Sequence, residues 1–159
     1  MICLKEIIKI VFLIIILTIT VFFFVLLGSN VVEENVSYAA TSGTSDIQLM
    51  ARAINGEARG EPYSGQVAVA AVVLNRVKSS SFPNTISGVI YQKGAFNVVD
   101  DGQINLTPNS TAKKAAQDAL NGWDPSYGAI YYFNTNTATN KWIWSIPMTV
   151  TIGKHRFCK

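Results

Sequence analysis

The sequence predicts an α+β domain, a helical part followed by a small antiparallel sheet, set behind an apolar N-terminal segment. Three observations carry this prediction. Apolar residues recur at helical spacing from Ile47 through Lys78, whereas the β-branched and aromatic runs Ala129–Phe133 and Met148–Ile152 fall in the last third. Helices and strands do not alternate along the chain, which excludes a βαβ architecture. Of the 159 residues, the first forty or so stand apart from this domain.

Ile10 to Leu27 carries no charge, and eighteen such residues in a helix span about 27 Å, close to the hydrocarbon thickness of a bilayer. Lys5 and Lys9 precede the run, as the positive end of a signal sequence or signal anchor does. Ser37-Tyr38-Ala39 before Ala40 offers a small-x-small cleavage site. Residues 1–39 are therefore expected to be a signal peptide or membrane anchor with its tail, residues 40–44 a linker, and 45–159 the working domain. Cleavage and retention as an anchor both stay open, and either exports the domain. A buried core helix fits this lysine-flanked run less well.

Ser45 with Gln48 makes a capping box that starts the first helix, and Ile47, Met50, Ala51 and Ile54 form its apolar face. Three residues further along that face stands Glu57, a carboxylate continuing an apolar stripe. Gly60 and Pro62 end the helix. Ser64 to Lys78 contains a Val/Ala-rich run whose length favours a helix buried on nearly all sides. A short helix is expected over Thr85 to Tyr91. Gly94 to Asn105 shows no period and contains the turn signal Asp100-Asp101-Gly102. Thr107-Pro108 is expected to cap the next helix, which runs to Asn121 with Gly122 as terminator. Three strands follow: Ala129–Phe133, Met148–Ile152 and, after a turn at Gly153, Lys154–Phe157.

Charge and residue inventory exclude several functions. The formal net charge of +3 is too mild and dispersed for a nucleic-acid binder. From Thr41 onward eleven Lys or Arg face seven Asp or Glu, a modestly basic balance that suits an anionic polymer. Cys3 and Cys158 lie at opposite ends and define no disulfide framework. His155 is the sole histidine, so a zinc hydrolase site and a serine triad both lack support, and no cofactor or metal is expected. His155 and Cys158, three apart in a strand, point to opposite faces rather than forming a nucleophile pair.

Carboxylate chemistry remains. Cleaving a glycosidic bond takes an acid that keeps its proton near neutral pH, and burial among apolar side chains favours the protonated form. Glu57 occupies the position where such burial is expected; capping a helix end or pairing with Arg52 or Arg59 is the competing use. Glu61, beyond the helix break, reads as a structural partner rather than a second catalyst. Asp100 and Asp101 read as turn residues before second carboxylates. Aromatic residues crowd the last third among Asn134, Asn136 and Asn140, the mixture that binds sugar C–H faces and hydroxyls. The candidate substrate-binding residues are Glu61, Phe96, Tyr132 and Trp142.

Ala51 to Tyr63, Gly65 to Arg76, Phe82-Pro83-Asn84, Gly122-Trp-Asp-Pro125 and Ile152 to Phe157 together resemble the catalytic domain of spore cortex-lytic enzymes, a germination-type cell-wall hydrolase family. The resemblance covers about Ser45 to Lys159. It implies a lysozyme-like, lytic-transglycosylase-related fold, action on the peptidoglycan glycan strands of spore cortex or wall, and Glu57 as the catalytic acid. Two departures stand out. Enzymes of this type usually carry an N-terminal peptidoglycan-binding module where this sequence shows a linker, and Ile146 stands where a basic residue is expected before Pro147. The expected reaction is lytic transglycosylation, because one protein carboxylate suffices when the sugar's own 6-hydroxyl is the nucleophile. The alternative is a non-catalytic, membrane-tethered wall-binding protein.

Overall fold

The computed structural model describes residues 15–16 and 45–159. The chain divides into two units, Met1–Gly43 and Thr44–Lys159. In the first, Ile15 and Ile16 are helical and exposed. The rest of the expected export segment, its cleavage site and Cys3 lie outside the described residues.

The second unit begins with helix α1, residues 45–58, which buries Met50, Ala51, Ala53, Ile54 and Ala58 and exposes Arg52; Arg59, in the turn just beyond it, is exposed as well. Gly60 and Glu61 form the break, with the Glu61 N–H donating to the Ala58 carbonyl at 2.9 Å. Pro62 does more than stop α1. Its fixed φ of −51° makes it the cap residue of α2, Tyr63–Lys78. Every residue of α2 from Gly65 to Val73 is buried. A helix apolar all round has to be wrapped by other elements, and α2 packs against α5 (Ser110–Leu120) and α3 (Ile86–Ile90). The Thr85 hydroxyl caps α3 by accepting the Gly88 N–H at 3.0 Å.

The aperiodic stretch after Gly94 holds two short helical pieces, α4 (Asn97–Asp100) and a 3-10 turn (Gln103–Asn105), separated by Gly102 at φ +79°. Each is too short to display a period. The cap of α5 departs from the expectation at Thr107-Pro108: the helix begins two residues later, where Asn109 Oδ1 accepts the Ala112 N–H at 2.7 Å. The Asn109 N–H is meanwhile held by Asn55 Oδ1 at 3.3 Å, a tertiary bond that draws this segment onto α1. Gly122, at φ +102°, terminates the helix as expected.

The sheet is antiparallel with order β1–β3–β2, where β1 is Tyr131–Asn134, β2 Met148–Ile152 and β3 His155–Cys158. Tyr132 pairs with Phe157, and Asn134 with His155. Between β1 and β2 lies a helix the sequence did not predict, α6 (Lys141–Ser145), capped by Asn140 Oδ1 on the Trp142 N–H at 2.9 Å. Trp142 and Trp144 therefore project from a helix rather than alternating along a strand.

Candidate active site

Glu57 stands one residue before the end of α1, half-buried, with its carboxylate held from two sides. Oε1 accepts the Val98 backbone N–H at 3.2 Å, and Oε2 accepts the Tyr132 hydroxyl at 3.0 Å. The first bond needs α1 and α4 in close contact. Gly56 allows it, since a Cβ there would overlap the Val98 side chain. The second needs Tyr132 fixed. Its ring stacks on Phe157 at 5.9 Å, lies 6.4 Å from Phe96, and meets His155 edge-on at 5.2 Å. Burial, reinforced by the neighbouring Glu57, pushes the Tyr132 hydroxyl well above the usual tyrosine range, so it remains a proton donor in the hydrogen bond.

Two further groups face this carboxylate. Arg76 on α2 is 7% exposed, donates Nε–H to the Ile130 carbonyl at 2.8 Å, and has its guanidinium carbon 5.2 Å from the ring centres of both Phe82 and Phe96. Burial lowers its pKa from the ordinary arginine value, opposed by Tyr132, Tyr131 and Glu57. His155 at the start of β3 is buried, and that burial lowers its pKa below the ordinary 6.5 despite Glu61 and Glu57 nearby. His155 is therefore neutral at neutral pH.

These residues open onto a cleft of about 480 Å³ whose walls include Glu57, Arg76, Tyr132, Asn134, Trp142 and His155. A smaller depression of about 270 Å³ shares Glu57, Asn97, Asn134, Thr137 and His155 with it and adds Asp101. The Glu57 carboxylate thus lies where two contiguous hollows meet. Trp142, 56% exposed, leans edge-on against Tyr131 at 5.5 Å and gives the larger hollow an aromatic wall. Asp101 takes the Gln103 N–H at 2.9 Å and its side-chain amide at 2.7 Å, and these bonds hold its carboxyl below the usual range.

Of the residues singled out from the sequence, the structure brings Glu57, Tyr132 and Trp142 together. Phe96 is buried, 2% exposed, beneath Arg76 and Tyr132, and has no free face for a sugar. Glu61 lies outside both hollows: its Oε2 accepts the Lys154 N–H at 2.9 Å and pins the β2–β3 turn, the structural use its place beyond the helix break suggested. Arg76 and His155 were not singled out for this site. Arg76 follows a long apolar run and reads as the polar end of a helix, and His155 stands out in the sequence only as a possible metal ligand or nucleophile partner. Among the described residues, no three of His, Cys, Asp and Glu gather to hold a metal ion.

A carboxylate at the end of a buried helix, facing a three-stranded antiparallel sheet across an open aromatic cleft, is the architecture of a lysozyme-like α+β domain. The profile of the family described as Cell Wall Hydrolase matches residues 60–158, and the chain belongs to that family. A spore cortex-lytic enzyme of Bacillus cereus is 69% identical over 115 residues, covering 72% of this chain and 44% of the relative. That of Bacillus subtilis is 59% identical over 115 residues, covering 72% and 38%. This chain thus spans less than half the length of these relatives. Among solved structures, the catalytic domain of the Bacillus cereus SleB protein is 68% identical at a TM-score of 0.70, with 73% of this chain and 91% of that one covered. The catalytic domain of the germination-specific lytic transglycosylase SleB from Bacillus anthracis matches at the same identity and TM-score, with 72% and 93% covered.

Proposed function

We propose that this chain is an exported peptidoglycan-degrading enzyme that cleaves the glycan strands of spore cortex or cell wall as a lytic transglycosylase, with Glu57 as its acid. The observation that carries this reading is the place of Glu57 at the junction of two hollows, because a scissile bond needs a sugar on each side. In the reaction Glu57 protonates the glycosidic oxygen between a muramic-type residue and the next glucosamine. The 6-hydroxyl of the muramic residue attacks its own anomeric carbon, and the Glu57 carboxylate takes up that hydroxyl's proton. The Val98 N–H and Tyr132 hydroxyl stabilise the carboxylate between the two transfers. Asn134 and Asn97 line both hollows with amides suited to sugar hydroxyls, and Trp142 offers a ring to a sugar face. The names of the relatives, cortex-lytic enzymes and a lytic transglycosylase, favour catalysis over a wall-binding role. Residues 1–39 would deliver the domain across the membrane, as cleaved signal or retained anchor, and 45–159 would be the catalytic part.

One observation favours keeping hydrolysis as a second reading: Asp101, held in its ionised form, borders the smaller hollow and is a candidate base for an attacking water. Release of soluble glycan from dye-labelled cortex tests both readings. Glu57→Gln is expected to lower the rate by about 10²–10⁴, the range of general acid catalysis, and Asp101→Asn to leave it within a few-fold. Undiminished release by Glu57→Gln removes the catalytic assignment; a collapse in Asp101→Asn with the fold intact replaces transglycosylation by hydrolysis.

A further inference from the structure

Arg76 is a largely buried cation that feels the nearby Glu57 carboxylate but forms no ion pair with it. At 7% exposure its Nε–H is satisfied by the Ile130 carbonyl, and Phe82 and Phe96 flank the guanidinium at 5.2 Å each. Among the described residues it makes no ion pair and its terminal nitrogens make no hydrogen bond. The terminal nitrogens are not among the buried atoms left without a partner, so they keep a face to the cleft that Arg76 lines. The side chain forms part of the wall of the larger cleft, on the hollow that also holds Glu57, Tyr132 and Trp142. Its aromatic flanks and its backbone bond fix the plane and direction of the fork, so little side-chain freedom remains to be lost on binding. Glu57 attracts Arg76 through space but forms no ion pair with it, so the terminal nitrogens of the fork stay without an anionic partner among the described residues.

We infer that Arg76 is a specificity residue that receives a carboxylate of the glycan in the larger hollow, through the two terminal nitrogens of its guanidinium. The inference deepens the glycan-cleaving reading and rests on it. A planar fork with free N–H groups matches a carboxylate in bidentate geometry, whereas sugar hydroxyls do not need a full positive charge. On a muramic-type sugar that carboxylate belongs either to the lactyl ether itself or to a peptide attached to it. The two sources share one chemistry and differ in distance from the ring. A cation at this place does not assist an oxocarbenium-like transition state, so its use is recognition rather than charge stabilisation at the anomeric carbon.

The test reads binding apart from turnover. In the full chain carrying Glu57→Gln, calorimetric affinity is measured for a muramyl oligosaccharide with free lactyl carboxylates, for the same glycan carrying a short peptide, and for each after amidation of its carboxylates. Amidation is expected to weaken binding about tenfold or more, the low end for a hydrogen-bonded charge. Adding Arg76→Gln is expected to abolish that difference. The lactyl source predicts the effect in the bare glycan; the peptide source predicts it only in the peptide-bearing one. Equal affinity for the acid and amidated forms of both glycans overturns the inference, as does a full amidation effect that survives Arg76→Gln. If Arg76→Gln shows no cooperative melting, Arg76→Lys serves instead, keeping the charge without the fork: a reduced preference supports the inference and an unchanged one overturns it. Failure of the wild-type chain to cleave any glycan would defeat the catalytic reading while leaving this comparison measurable.

Discussion

At the scale of single residues, the site depends on how two donors hold one carboxylate. The Tyr132 hydroxyl keeps its proton because it is buried beside Glu57, so it is the donor to Oε2. Tyr132→Phe removes this donor and leaves the ring's contacts with Phe96, His155 and Phe157 in place. A hydrogen bond to a charged group contributes about 1.5–3 kcal/mol and this one is present in the resting fold, so the melting temperature is expected to fall, and the turnover rate to fall by up to roughly 100-fold. Steady-state kinetics beside a thermal melt checks this, and a lowered melting temperature with an unchanged rate would make Tyr132 a packing residue instead. Glu57 was legible in the sequence because a carboxylate on an apolar helical face is a local contradiction that one period reveals. Arg76 was not, because what defines it is distant in the chain: rings six and twenty residues downstream and a carbonyl at Ile130. Glu61 and Phe96 do not line the cleft, for the matching reason. One turns away after Gly60 to hold the Lys154 N–H, and the other is consumed in supporting Tyr132 and Arg76.

At the scale of elements, the approach of α1 to α4 sets where the acid stands. Gly56 is the residue that permits it. A methyl group at that position would overlap the side chain of buried Val98, so Gly56→Ala has to part the two helices or displace Val98. Overpacking of this kind costs typically 1–3 kcal/mol, and here it also lengthens the Val98 N–H bond to Glu57. Denaturant unfolding and cortex-lytic rate are both expected to fall; a stable variant with full activity would show that α4 is not a positioning element. The long helices and the strands themselves were readable because α2 carries an unbroken Val/Ala run and the strands are rich in β-branched and aromatic residues; the order β1–β3–β2 was not, because the connection from β1 to β2 passes β3 and carries α6. The cap of α5 was misplaced because Thr107-Pro108 and Asn109 both satisfy local rules, and the tertiary bond from Asn55 selects the latter. Helix α6 was missed because five residues, Lys141–Ser145, cannot show a helical period.

At the scale of the whole domain, the Tyr132–Glu57 hydrogen bond ties α1 to the sheet, and His155 on β3 couples stability to pH. His155 is neutral when folded because burial lowers its pKa below 6.5, whereas the unfolded chain takes up a proton near that ordinary value. The unfolded state therefore binds more protons as pH falls below about 6.5, and stability is full above that pH and declines through the window down to the lower folded value. Melting temperature is expected to drop between pH 7.5 and pH 5, and His155→Gln to flatten the drop; an equal slope in both proteins would assign it to other groups. The central claim is that Glu57 cleaves the glycan with the sugar's own hydroxyl as nucleophile. It is tested most directly by mass spectrometry of purified spore cortex digested with the full chain and with its Glu57→Gln variant. New 1,6-anhydro ends from the wild type and none from the variant are the predicted result, and reducing ends from the wild type, or the same products from both, would contradict it.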